Sequence, residues 1–205
     1  VQSLLSFARR HKPERKAVCV NKLIEAALDI LNYQLRTSNI EVTSALALDL
    51  PLAMVDPHQM QQVFLNIINN ARQAIEGHQL GGWIRITTAT RGANVCVTVQ
   101  DSGPGIPEQS LRKIFDPFFT TKEVGKGTGL GLSLCYGIVK EHGGRIIPRS
   151  KLGEGATFEI ELPITHEAGE ASDPKPPPPE TEVINPREGA GKKVLVIDDE
   201  EPILH

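Results

Sequence analysis

Asp101, Gly103 and Gly105 lie in the run Asp101-Ser102-Gly103-Pro104-Gly105, directly after the alternating Val95, Val97 and Val99. A carboxylate in that place stands where a strand ends and the backbone turns. The glycines permit positive φ and let a ligand approach the main chain closely. A second cluster, Gly125-Lys126-Gly127-Thr128-Gly129-Leu130-Gly131, runs into an apolar stretch reaching Val139 that is expected to be helical. The free N–H groups and positive dipole end of such a helix suit an anion such as a phosphate chain. Taken singly, each cluster is also what an ordinary turn looks like. Their spacing matches neither a P-loop nor the GxGxxG of dinucleotide folds, which counts against both.

Residues of this kind need elements to hold them. Trp83 to Arg91 and Asn94 to Asp101 alternate as two strands around Gly92-Ala93, a hairpin that ends on the aspartate. Ahead of it a helix is expected from Pro57 to Glu76, with Asp56 as cap and the proline in the first turn. Val63, Phe64, Ile67, Ile68, Ala71 and Ile75 would form its buried face. Asn66 and Asn70, four residues apart, project together at the border of that face. Propensity does not favour asparagine there, and a solvated polar flank is the plain reading. Upstream, Ala17 to Val20 reads as a short strand. Asn21 then offers a cap for a helix striped by Leu23, Ile24, Ala27, Leu28 and Leu31. Ile40 to Leu48 alternates as a strand, and Leu50-Pro51 turns the chain. Beyond the second cluster come a helix from Gly129 to His142, closed by Gly143-Gly144, and a hairpin of Arg145 to Ser150 with Ala156 to Leu162. The expected fold class is therefore α/β, a two-layer sandwich with helices on one face of a mixed sheet. The stretch from Pro104 to Thr128 exceeds ordinary connection lengths and fits a flexible active-site lid.

The order DxGxG, then FxPFFTTK, then GxGTGLGL, within about thirty-five residues, is more specific than any part of it. With NIINNARQAI ahead of it, the chain resembles the ATP-binding domain of sensor histidine kinases. That superfamily also holds DNA gyrase, the MutL repair proteins and a heat-shock chaperone. The four stretches match its N, G1, F and G2 boxes, and the resemblance covers about Ala17 to Pro163 strongly.

The resemblance implies ATP and Mg²⁺ as cofactors. Asp101 would accept a hydrogen bond from the adenine amine, with Gly103, Gly105 and Ile106 turning beneath the base. Phe119, Thr120, Thr121 and Lys122 of the lid would approach the phosphates, together with the backbone of Gly125, Gly127, Thr128, Gly129, Leu130 and Gly131. Asn70 would hold Mg²⁺ through its amide oxygen, which suits an ion that takes few protein ligands alongside phosphates and waters. Asn66, Asn70 and Lys122 are the residues it brings to the catalytic step. Asn66 lies where gyrase relatives keep a glutamate base, and the amide favours a kinase over a hydrolase. Gln73 stands where many histidine kinases carry a lysine, with Arg72 as a possible stand-in at the phosphates.

Three rivals share the fold. An ATP-driven conformational machine would want a glutamate at position 66. A serine kinase of the anti-sigma type normally lacks both a dimerisation hairpin and an attached receiver. A degenerate pseudokinase would have lost Asp101 or the glycines.

The ends carry weaker signals. Val1 to Arg10 places Leu4, Leu5 and Ala8 at helical spacing and resembles the close of the dimerisation hairpin (1–11) that precedes the ATPase domain (12–165). The proline-rich, acidic stretch 166–191 reads as a stiff solvated linker. Lys193 to Glu200, an apolar strand ending in acids, resembles the start of a response-regulator receiver domain (192–205), with Asp198 and Asp199 as part of a Mg²⁺ site. With no initiating methionine and an abrupt stop, the chain is expected to be part of a longer one. None of its six histidines sits in a His-Glu-x-x-Asn/Arg-Pro setting, so the phosphoacceptor is expected outside it. The expected partners are a second copy, through that hairpin, and a receiver in cis or a separate response regulator. Composition fits a cytoplasmic globular protein: 40% hydrophobic, 23% charged and a net charge of −3, with no basic excess for nucleic acid. No run is long enough to span a membrane, so attachment would come only from upstream segments. Cys19, Cys96 and Cys135, odd in number and in apolar surroundings, are expected as buried free thiols.

Overall fold

Alternating apolar residues build the sheet. The computed structural model describes residues 14–78, 81–122 and 127–165, all within the first of two units, Val1–His166. Its strands are β1 (Lys16–Val18), β2 (Ile40–Ala45), β3 (Ala53–Val55), β4 (Gly82–Arg91), β5 (Asn94–Asp101), β6 (Arg145–Ser150) and β7 (Ala156–Pro163). Its helices are α1 (Val20–Thr37), α2 (Pro57–Glu76), α3 (Glu108–Leu111) and α4 (Gly131–Glu141). Five strands form a mixed sheet in the order β2-β4-β5-β7-β6, parallel at β2–β4 and antiparallel elsewhere. A parallel pair needs a crossover, which β3 and α2 supply.

Register decides what faces inward. Ile84, Ile86 and Thr88 pair with Asp101, Val99 and Val97, and the two valines pair in turn with Phe158 and Ile160, all buried. Asp101 therefore continues the apolar row. Against this face α1 lays Val20, Ile24, Ala27, Leu31 and Leu35, and α2 lays Met60, Val63, Phe64, Ile67, Ile68, Ala71 and Ile75. Burying each larger side chain is worth about 1.5–3 kcal/mol relative to exposure. On the opposite face Glu159 and Glu161 take salt bridges from Arg91 at 2.8 Å and Arg145 at 2.6 Å, so that side neutralises itself.

The two-layer sandwich is as expected, and α2 and β5 have the expected bounds. Other elements differ. The first helix starts at Val20 with Cys19 as its cap residue, not Asn21. Asn21 instead donates to Ala47 O at 2.8 Å and accepts from Thr88 Oγ1 at 3.0 Å, because the chain just past β2 and the strand β4 offer it partners that a free helix end would not. β2 stops at Ala45, and β3, which pairs antiparallel with β1, was not expected at all. Cys96 and Cys135 are buried, whereas Cys19, at the mouth of α1, is only half-buried; all three are free. The expected hairpin end (1–11), linker (166–191) and receiver start (192–205) lie outside the described residues, as do Gly125, Asp198 and Asp199.

Candidate active site

Asp101 is 4% exposed at the end of β5. Its Oδ1 accepts from Gly103 N at 2.9 Å and from Ala156 N at 3.2 Å. No described residue donates to Oδ2, and that oxygen is not sealed from solvent. Burial pushes the carboxyl up from its usual range, and the two backbone donors only partly offset it. Gly155, at φ +81, makes this packing possible: a Cβ there would lie 1.9 Å from Asp101 O. Across the turn, a Cβ at Gly103 would lie 3.3 Å from Ala74 Cβ on α2. Ile106 follows, its N–H donating to Ser150 Oγ at 2.8 Å.

From Ala74, α2 runs as a floor to the other end of the site. Gln73 and Asn70 come next, then Asn66, about 12 Å along the axis from Ala74 at 1.5 Å per residue. Asn70 reaches the start of α4, where a Cβ at Gly131 would sit 3.9 Å from its Nδ2. Asn66 lies one turn deeper, its amide beside Cys135. Burial pushes that thiol up to about 12, with the Asn66 amide pulling the other way. Leu130 gives α4 no side-chain cap, and the first turn holds no acid, so its N–H dipoles are left for a ligand. The far end of α4 is fixed: His142 is buried, its Nδ1 is 2.8 Å from Ile138 O, and its Nε2 accepts from Asp56 N at 3.0 Å. The second bond assigns the ring proton to Nδ1.

The lid arrives from the opposite side. Phe118, at φ +68, donates its N–H to Gly129 O at 2.9 Å, and this clasp defines the base of the loop. Phe119 is half-buried and packs on the core. Thr120 Oγ1 accepts from Lys122 N at 3.2 Å, and Thr128 Oγ1 from Leu130 N at 3.4 Å. Thr121 is exposed. Lys122 Nζ donates to Gln73 Oε1 and stands 3.5 Å from Asn70 Oδ1. Burial, and then the nearby Arg72 charge, push this ammonium below the usual lysine range. The Arg72 guanidinium itself is held by Asn69 Oδ1 at 2.9 and 3.1 Å and by Glu76 Oε1 at 2.6 Å. The cation that meets Gln73 is therefore the lid lysine.

Among the described residues no cluster of three His, Cys, Asp or Glu could hold a metal. One neutral amide, Asn70, fits Mg²⁺ in another way, since that ion takes few protein ligands and is typically shared with phosphates; here its Nδ2 faces the start of α4 and its Oδ1 faces the Lys122 ammonium. Two features escaped sequence reading: Gln73 as a partner of Lys122, and Ala156 with Gly155 behind Asp101. The first joins residues 49 apart and the second residues 55 apart, and only the glycines of the 153–155 turn gave a signal. A surface cavity of about 450 Å³, lined by Arg36, Asn39, Ile40, Glu41, Gly81 and Gly82, contains none of the site residues.

Comparison with known proteins gives the family. Residues 55–166 match the family described as histidine kinase-, DNA gyrase B- and HSP90-like ATPase. A sensor kinase, CckA of Brucella abortus, is 38% identical over 99% of this chain, which spans only 23% of that relative's length. The catalytic domain of the histidine kinase ThkA has 36% identity and a TM-score of 0.65, covering 74% of this chain and 96% of that domain. ThkA in complex with the response regulator TrrA matches at 32% identity and TM-score 0.66, over 80% of this chain and 46% of that one. Among the described residues no helix is long and apolar enough to cross a membrane. The chain is thus a member of the histidine kinase-, DNA gyrase B- and HSP90-like ATPase family, as the ATP-binding catalytic domain of a sensor histidine kinase.

Proposed function

We propose that this domain transfers the γ-phosphoryl group of ATP to a histidine on a helical hairpin, releasing ADP, for relay to a receiver aspartate. The acceptor nitrogen gains the P–N bond as the bond to the β-phosphate oxygen breaks. The observation that carries the reading is Oδ2 of Asp101, which accepts from no described residue and is not sealed from solvent in an otherwise buried carboxylate. It would select the adenine amine. Asn70 would hold Mg²⁺, which supplies charge neutralisation at the phosphates. Lys122 and the first turn of α4 would orient the phosphate chain, so that catalysis is positioning plus electrostatics. Asn66, an amide where a hydrolase base would stand, leaves water unactivated. We read the partners as a second copy through the hairpin and a receiver, either the one begun at 192–205 with Asp198 and Asp199 in its Mg²⁺ site, or a separate response regulator. We read the location as cytoplasmic. The regulator complex of the ThkA relative and the apolar run ending in acids at Lys193 to Glu200 support this reading.

The test supplies a hairpin bearing the His-Glu-x-x-Asn/Arg-Pro pattern, in trans, to the 205-residue chain with γ-labelled ATP and Mg²⁺. Without the hairpin almost no label should be incorporated, because orientation is worth about 7–11 kcal/mol in such a step. With it, acid-labile label should accumulate on the hairpin histidine. Acid-stable label on the chain itself would overturn the reading in favour of a hydroxyl acceptor.

A further inference from the structure

We infer that Gln73 is a positioning residue that seats the Lys122 ammonium over Asn70, so that the cation meeting the phosphates is delivered by the lid. This deepens the nucleotide reading above and rests on it. Gln73 and Asn70 are three residues apart on α2 and share the face turned to the lid. Lys122 Nζ donates to the first and stands 3.5 Å from the second. The stem is guided too: a Cβ at Gly127 would lie 3.2 Å from Lys122 Cβ and 2.5 Å from Thr120 Oγ1, so only glycine leaves room for this path.

The acceptor type matters. An amide oxygen holds an ammonium through a hydrogen bond without cancelling its charge, whereas a carboxylate would pair with it and compete with an arriving anion. Arg72, the other cation beside the site, is committed to Asn69 and Glu76. Seated on Gln73, the long lysine side chain is ordered before the ligand arrives, so less rotamer freedom is lost on binding. Because the cation belongs to the lid, its contact with a phosphate also ties lid position to occupancy.

A double-mutant cycle on the 205-residue chain tests this, using Gln73→Ala, Lys122→Ala and the pair. Calorimetry would read Mg·ATP and adenosine affinity, and hydrogen exchange would read the lid without nucleotide. Each single variant should bind Mg·ATP about fivefold more weakly, with adenosine unaffected, and the pair no more weakly than Lys122→Ala alone. In the ligand-free chain, Gln73→Ala should raise exchange at residues 118–122 to the rate seen in Lys122→Ala. Gln73→Glu should keep that exchange slow yet weaken Mg·ATP, which separates the seat from its neutrality. Wild-type affinity in Gln73→Ala, or independent additive effects, would overturn the inference while leaving the nucleotide reading standing. A wild-type chain that binds neither Mg·ATP nor adenosine would overturn both.

Discussion

Asp56 and Asp101 are both buried carboxylates at the end of an element, 9% and 4% exposed, and backbone N–H groups meet both. At Asp56, Oδ1 accepts from His58 N at 2.9 Å and Gln59 N at 3.1 Å, and Oδ2 from Glu14 N at 3.0 Å. At Asp101 both donors go to Oδ1. The titration follows the difference. Burial alone would raise Asp56, but Gln59, Glu14 and His58 together hold it below its ordinary value; at Asp101 burial wins. A saturated carboxylate belongs to the structure: it starts α2 and ties down the chain ahead of β1. One with a free oxygen is held ready for a partner from outside.

The largest expected effect is on the ligand side. Asp101→Asn keeps an acceptor for Gly103 and Ala156 but loses the one open to the base. Mg·ATP affinity should fall by about 1–3 kcal/mol in calorimetry, with the melting transition little moved. Unchanged affinity would erase the distinction between the two aspartates. Next, Asp56→Ala should cost about 1–2 kcal/mol of stability in urea denaturation, the loss of a filled N-cap, with Mg·ATP affinity preserved in the folded protein. A variant as stable as wild type would show that the cap bonds contribute little.

The smallest effect lies in pH dependence, and its sign differs between the two. The Asp56 value is depressed below 3.8, so its contribution is present above 3.8 and is lost as pH falls through the folded value. The Asp101 value is raised above 3.8, so its contribution is full below 3.8 and is lost as pH rises through the folded value. Denaturation curves across that range should show Asp56→Asn closing on wild type as pH drops, and Asp101→Asn gaining on it as pH climbs. Parallel trends would break the contrast.

What was legible in the chain follows the same physics. Asp56-Pro57 is a local chemical signal for a helix start, and α2 runs from Pro57 to Glu76 as that signal says. Period-two alternation likewise carried β5 to Asp101. Three-residue strands have no period to read, so β1 was misplaced by a residue or two and β3 escaped notice. Asn21 looks like a cap in isolation and is drawn elsewhere by Ala47 and Thr88, which only the folded sheet brings near. The residue types at 70, 101 and 131 marked them as candidates, and the fold brings Asn70 to the Gly131 turn. The Gln73–Lys122 contact did not, because a glutamine next to an arginine on a helix carries no mark of a lysine 49 positions on.

The Phe118–Gly129 clasp bears on how such a domain can diversify. Its single 2.9 Å backbone bond fixes where the lid leaves and rejoins the framework. Between two fixed ends a change of chain length has little thermodynamic consequence, since each doubling of a loop costs only about 0.6 kcal/mol. Insertions between Lys122 and Gly127 are thus open to drift or to grafting of a reporter peptide. Position 129 is not open in this way: a Cβ at Gly129 would lie 2.3 Å from the carbonyl carbon of Phe118. The lid is in this sense a replaceable cassette in a socket whose rim admits no side chain at Gly129.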